Sequence, residues 1–156
     1  MRHKKVQKRQ VQEDKVYRSK LVAKFINRMM RNGKKSISEK VFYDSFESLK
    51  KEGDPLVIFE TAINNVGPKT EVKARRVGGA SYQVPQEVRG DRRISLAIRW
   101  ILEAARARSN RDFHTFPEKL AAEILEASRN EGAAIKKRDT IHRMAEANRA
   151  FSHFRF

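Results

Sequence analysis

The apolar residues after position 18 recur with the spacing of an amphipathic helix. Its inward stripe is formed by Leu21, Val22, Phe25, Ile26, Met29 and Met30. Lys24, Arg28 and Arg31 fall off that stripe, so the outer face of this first helix is basic. Gly33 is expected to end the helix, because glycine readily adopts the left-handed conformation found at many helix ends.

Capping patterns predict two further helices before residue 69. Ser36 and Glu39 have capping-box spacing at the start of the second helix. Asp54 is a candidate N-cap for the third, with Pro55 at its first position and a Gly-Pro pair at its end. These helices are long enough and apolar enough on one face to form a bundle.

The pattern changes to alternation over residues 71–88, which predicts a β-hairpin. Gly78-Gly79 is a two-residue turn that tolerates the positive φ angles of a primed hairpin, and it pairs Arg75 with Tyr82. The ribbon is basic and lacks a continuous apolar face, so we expect it to protrude and to be stabilised by a partner. Tyr82 can either stack on a base or cover Arg75, and the sequence favours neither role.

Three more helices are predicted after the hairpin. Asp91 is a candidate cap for the fourth, and the apolar stripe beside Trp100 makes this the central helix. Thr115 and Glu118 have capping-box spacing at the start of the fifth. The sixth helix offers as apolar contacts Ile141, Met144 and Ala145.

The chain ends carry no such periodicity. Residues 1–17 are dense in Lys, Arg and Gln and are interpreted as a basic extended arm that orders on its partner. Residues 150–156 form an aromatic and basic tail. The prediction is therefore one mostly α-helical domain over 1–156, a bundle of about six helices with one protruding β-hairpin.

Composition adds a partner to this picture. The chain has 156 residues, 35 of them Lys or Arg and 19 Asp or Glu, for a formal charge of +16. The net charge is +11 over residues 1–40 and +6 over residues 71–111, whereas the rest is near neutral. Two basic segments favour a nucleic acid as partner, because Lys and Arg side chains that bind phosphates displace the condensed counterions into solution, and this release favours binding. An anionic membrane surface and duplex DNA are the competing polyanions.

Nothing in the sequence indicates catalysis. The four histidines are scattered without metal-ligand companions, and there is no cysteine. Gly33-Lys34-Lys35 lacks the upstream glycine of a nucleotide-binding loop, since Arg28 stands there, so two backbone-contacting lysines after a helix stop are the better interpretation. An RNA-cleaving enzyme using His114 or His142 is the alternative from another class. No membrane-spanning stretch, cofactor, metal or small-molecule substrate is expected.

The residues resemble a known family. Ser19, Leu21, Phe25-Ile26, Gly33-Lys34-Lys35, Val41-Phe42 and Ser45 together are similar to the signature of the small-subunit ribosomal protein seven family. The ribbon from Ala74 to Pro85, the Arg92-Arg93 pair and Trp100 resemble the same family. The likeness covers essentially the whole chain and suits a bacterial or organellar type.

The resemblance implies a cytoplasmic, ribosomal location and a set of partners. A member of this family would bind the 3′ major domain of small-subunit rRNA, nucleate assembly of the subunit head and contact small-subunit proteins nine and eleven. Its hairpin would lie near the exit-site tRNA and the mRNA, through Arg75, Arg76, Gly78, Gly79 and Tyr82.

The basic residues expected to bind rRNA come from the arm, the first helix and the fourth helix. From the residues alone, each of them could also be merely solvated. They are Arg2, Lys4, Lys5, Lys8, Arg9, Lys24, Arg28, Arg31, Lys34, Lys35, Arg92, Arg93, Arg108 and Arg111.

Overall fold

The order of helices and strands predicted from the sequence is confirmed in residues 10–154, the part of the chain that the computed structural model describes. The elements are α1 (Lys20–Met29), α2 (Lys35–Leu49), α3 (Pro55–Val66), β1 (Thr70–Val77), β2 (Ala80–Glu87), α4 (Gly90–Ala107), α5 (Phe116–Ser128), α6 (Ala133–Ala147) and a C-terminal 3₁₀ helix (Arg149–Phe154). The fold is therefore mostly helical, with one two-stranded antiparallel sheet in the described residues. No described helix is both long and apolar enough to cross a membrane.

The chain divides into two compact units between Lys40 and Val41. The single domain predicted over 1–156 stays a prediction. In the first unit, α1 buries its predicted stripe at Val22, Phe25, Ile26 and Met29. The helix ends at Met29, before Gly33. Gly33 nevertheless has the left-handed φ of +74° that was expected of it, in the turn between α1 and α2.

The start of α2 differs from the prediction. Lys35 is already helical, and the Lys34 carbonyl accepts a hydrogen bond from the Ser38 N–H at 3.3 Å. Ser36 therefore lies inside the first turn and is not the N-cap. Glu39, its expected capping partner, lies instead 3.7 Å from the Lys35 ammonium, one helical turn away.

Three phenylalanine rings from the later part of α2 and from α3 pack against one another. The ring centroids of Phe42 and Phe46 are 4.2 Å apart, and each lies 5.6 Å from that of Phe59. All three side chains are wholly buried. The predicted cap of α3 is confirmed, because the Asp54 carboxylate accepts a hydrogen bond from the Leu56 N–H at 2.9 Å.

The fourth helix is central, as predicted. α3, α5 and α6 all pack against α4, which buries among others Leu96, Ala97, Ile98, Trp100 and Ile101. Its predicted cap is wrong: α4 begins at Gly90 with Arg89 as N-cap, so Asp91 lies in the first turn. In the first turn the Asp91 carboxylate still interacts favourably with the positive end of the helix dipole.

The capping box of α5 is confirmed. The Glu118 carboxylate accepts hydrogen bonds from the N–H groups of Thr115 at 3.2 Å and His114 at 3.0 Å, and these bonds lower the pKa of Glu118. In α6 the predicted inward residue Ala145 is buried, but Met144 is 43% exposed and is not a core contact.

The hairpin has the predicted register. Arg75 is opposite Tyr82 and Arg76 is opposite Ser81, with Gly78 and Gly79 in the turn at φ angles of +58° and +90°. The strands are supported by their own chain, since α6 packs against β1 and the C-terminal 3₁₀ helix packs against β2.

Candidate nucleic-acid interface

The first basic surface is the outer face of α1 and the turn that follows. Because the apolar stripe of α1 faces inward, Lys24 and Arg28 lie one turn apart on the other side. All five cations predicted here are exposed, namely Lys24, Arg28, Arg31, Lys34 and Lys35. Apart from the 3.7 Å contact of Lys35 with Glu39, none of the five has a carboxylate partner within residues 10–154. This surface can therefore take phosphates without first breaking strong ion pairs.

The tip of the hairpin forms the second basic surface. Opposite residues of an antiparallel pair share a face, so Arg75 and Tyr82 lie on one side of the ribbon and Arg76 and Ser81 on the other. Arg76 and the two turn glycines are exposed, whereas Arg75 and Tyr82 are half-buried. The tip is narrow and has no side chains at the two glycines, so a nucleic-acid backbone could approach it closely.

The Tyr82 ring packs against two phenylalanine rings. Its centroid lies 5.3 Å from that of Phe151 and 5.1 Å from that of Phe154, both in the C-terminal 3₁₀ helix. The predicted aromatic tail therefore meets the hairpin. No sequence signal links these residues, which are about 70 positions apart.

A histidine of α6 accepts a hydrogen bond at the base of the hairpin. The Lys69 N–H donates a hydrogen bond to His142 Nε2 at 3.1 Å, and the Val88 N–H donates to the Lys69 carbonyl at 3.0 Å. Burial, reinforced by the positive charge of Arg138, lowers the pKa of His142. The neutral imidazole is thus the form that accepts the Lys69 hydrogen bond.

Arg92 and Arg93, predicted to bind rRNA, both have partners inside the protein. Arg92 donates two hydrogen bonds to the Glu71 carboxylate at 2.5 and 2.8 Å, which raise its pKa and tie α4 to β1. Arg93 donates to the carbonyls of Gly67 at 3.0 Å and Asn64 at 2.9 Å. It therefore caps the C-terminal end of α3.

A second arginine completes that cap. Arg138 of α6 donates a hydrogen bond to the Asn65 carbonyl at 2.7 Å. Arg93, Arg138, Lys69 and His142 together line a cavity of about 520 Å³ beside the end of α3. The sequence did not predict this cluster, because its members come from segments far apart in the chain.

Among the predicted rRNA-binding residues in the described part of the chain, Arg108 is the one that the geometry favours least. Its guanidinium donates to Glu123 at 2.9 and 2.6 Å and also to Glu126, and its side chain is only 15% exposed. Burial opposes the charge of Arg108, but the two carboxylates more than offset it and its pKa is raised. The Arg108 side chain is thus occupied by an internal ion pair instead of facing solvent.

The remaining predicted residues lie in two places. Arg111 is exposed in the loop between α4 and α5, where its N–H donates to the Ser109 hydroxyl at 3.0 Å. The arm residues lie outside the described residues, namely Arg2, Lys4, Lys5, Lys8 and Arg9. Within residues 10–154, no group of three or more metal-ligating side chains is placed to hold an ion.

Exposed cations on a helix face and on a hairpin tip are typical of proteins that bind RNA. A family model described as ribosomal protein S7p/S5e matches residues 1–149. The chain is 54% identical to the small ribosomal subunit protein uS7 of Caldicellulosiruptor bescii, over 97% of this chain and 96% of the relative. It is 52% identical to uS7 of Alkalilimnicola ehrlichii and 54% identical to uS7 of Burkholderia mallei, over 99% of both chains in each case.

The chain belongs to the ribosomal protein S7p/S5e family. This confirms the resemblance drawn from the signature residues. It also makes the protein a structural component of the ribosome and not an enzyme, as the sequence predicted.

Proposed function

We propose that this protein binds the 3′ major domain of small-subunit rRNA directly and nucleates assembly of the subunit head. In the assembled subunit, its hairpin lies near the exit-site tRNA and the mRNA, and small-subunit proteins nine and eleven are its neighbours. Membership of a small-subunit ribosomal protein family supports the coarser part of this proposal.

The observation that carries the proposal is the division of the cations into two groups. Lys24, Arg28, Arg31 and Lys34 are exposed and have no carboxylate partner within the described chain. Arg92 and Arg108, in contrast, are held by carboxylates of the protein itself. Cations that serve the fold are paired, whereas α1 and its following turn group several unpaired cations on one surface. Such a group is best explained by phosphate contacts.

Recognition on this proposal depends mainly on RNA shape. The major groove of an RNA helix is too narrow for side chains to read, so exposed Lys and Arg contact phosphates and 2′-hydroxyls. A folded junction places phosphates from several helices at fixed positions. The protein should therefore prefer a folded junction to a simple duplex or an unstructured strand.

The test is binding of the full chain to the 3′ major-domain rRNA at several salt concentrations, with equal-length duplex DNA as competitor. We expect the rRNA to win at moderate salt, with a steep decrease in affinity as salt rises. Lys34→Ala/Lys35→Ala should weaken binding and reduce the salt slope by about 2, because each substitution removes one ammonium group that neutralises a phosphate.

Lys50→Ala/Lys51→Ala is the matched control, because it removes the same charge from two exposed lysines in a segment without predicted contacts. It should leave the salt slope nearly unchanged. Equal decreases in affinity for the two double variants would show that only net charge matters. Equal competition by DNA would make the protein a general polyanion binder, and either result would overturn the proposal.

A further inference from the structure

The hairpin is held by its own chain close to its tip. Tyr82 is the third residue of β2 and lies only three positions after Gly79. Its ring packs against Phe151 and Phe154, with interplanar angles of 48° and 32°. Tilted rings at centroid distances of 5.1 to 5.3 Å are in the range of favourable aromatic pairing. Only six residues, 76–81, extend beyond this contact.

The C-terminal 3₁₀ helix, which packs against the hairpin, is itself held by hydrogen bonds to α6. The C-terminal 3₁₀ helix follows α6 after one residue, Asn148, whose side chain and N–H both donate to the Met144 carbonyl, at 2.8 and 3.2 Å. Phe151 continues the turn by donating its N–H to the Asn148 carbonyl at 3.0 Å. α6 in turn is anchored by its buried residues Ala134 and Ile135. The two phenylalanines are therefore held by α6 when they meet the hairpin.

The two faces of the hairpin have different surroundings. Val84, two residues after Tyr82 and on the same face, is wholly buried. Arg76 and Ser81, on the opposite face, are exposed. A two-stranded ribbon is marginally stable alone in water, so an aromatic contact on one face fixes how the other face points.

We propose that Tyr82, Phe151 and Phe154 form an aromatic clamp that fixes the direction of the hairpin, so that Arg76 meets RNA in a preset position. Tyr82 is then a positioning residue, and its ring is occupied by the tail instead of stacking on a base. The proposal rests on the RNA-binding function proposed above. It adds that the C-terminal 3₁₀ helix is part of the binding apparatus without contacting the RNA through these rings.

The first test uses the free protein, so it does not depend on RNA binding. Phe151→Ala/Phe154→Ala should raise amide hydrogen exchange at residues 75–83 by at least about ten-fold, because the ribbon loses its support near the tip. Exchange in α4 should stay unchanged. Phe113→Ala, which removes a half-buried ring from the loop between α4 and α5, is the control and should leave hairpin exchange unaltered. Unchanged exchange in the double phenylalanine variant would overturn the clamp.

The second test is a double-mutant cycle on rRNA affinity with Arg76→Ala. With the clamp intact, Arg76→Ala should weaken binding several-fold, whereas in the Phe151→Ala/Phe154→Ala background it should cost much less. Phe154→Tyr should retain both the low exchange and the full Arg76 effect. If the effects of the two changes simply add, the clamp does not position Arg76 and the inference is wrong.

The outcomes separate this inference from the proposed function. If the wild-type protein does not prefer the rRNA over duplex DNA, the proposed function fails whatever the variants do. If the wild type prefers rRNA but the cycle is additive, only the clamp fails. Tyr82→Leu removes the aromatic pairing from the hairpin side, so it repeats both tests if the phenylalanine variant does not fold.

Discussion

Replacing Arg108 with Met tests whether this arginine serves the fold or the RNA. The Glu123 carboxylate is fully buried and accepts three hydrogen bonds from two residues: two from Arg108 and one from the Ala134 N–H at 3.0 Å. Met fills a similar volume but cannot donate. The variant therefore leaves a buried carboxylate with one hydrogen bond and no counter-charge.

The expected cost follows from that burial. Breaking a buried ion pair by removing one partner costs about 3–5 kcal/mol, because the other charge stays desolvated. For a domain of this length each kcal/mol lowers Tm by roughly 2–4 °C, so Tm should decrease by roughly 6–20 °C. Arg108→Met/Glu123→Gln should regain part of that stability, since Gln removes the charge and can still accept from Ala134.

Thermal unfolding followed by circular dichroism measures these differences. Arg111→Met is the matched control: its side chain is exposed on the same loop, so Tm should stay within about 2 °C of the wild type. rRNA binding at a temperature where all variants are folded gives the second readout. Arg111→Met should reduce the salt slope by about 1 and Arg108→Met should not. An Arg108→Met variant that keeps the wild-type Tm and has a reduced salt slope would show that Arg108 binds the RNA and does not serve the fold.

Three further predictions concern stability. The folded protein lowers the pKa of His142, so His142 binds a proton more readily in the unfolded chain than in the folded one. The stability that neutral His142 contributes is therefore complete above about pH 6.5 and decreases as the pH falls below that value. Urea unfolding at pH 7.5 and 5.5 should show this decrease, and His142→Gln should reduce it. Asp54→Ala should cost about 1 kcal/mol in thermal unfolding through loss of the α3 cap, whereas Asp54→Asn should cost little. Phe42→Ala should lower the free energy of unfolding by about 3–5 kcal/mol in the same assay, far more than Val57→Ala at an exposed position.

Local signals in the sequence predicted local structure well. Asp54 accepts from an N–H two residues away, and Glu118 accepts from one three residues away, so the residues that form these caps are neighbours in the chain. The Gly-Gly turn likewise fixed the hairpin register, because only two residues connect the strands. Asp91 failed as a cap because α4 starts two residues earlier than that cap implies, a shift that the apolar pattern does not resolve.

The candidate site was harder to predict, because the charge of an arginine does not reveal whether it pairs with a carboxylate of the protein or faces solvent. Arg111 and Arg108 look alike in the sequence, yet one is exposed and the other is paired with Glu123, 15 positions later. That pairing depends on how α5 packs on α4. The contact of Tyr82 with Phe151 likewise exists only after α6 has brought the tail to the hairpin.

The contact between hairpin and tail also sets an order of events during synthesis. The ribosome releases the chain from its N-terminus at roughly 5–20 residues per second, so Phe151 is made about 3 to 14 s after Tyr82. During that interval the strands of the hairpin exist without the rings that will hold them. A nascent chain whose hairpin meets RNA in that interval does so without the support of these rings. If the aromatic clamp acts as proposed, the hairpin takes its fixed direction only once Phe151 and Phe154 have left the exit tunnel.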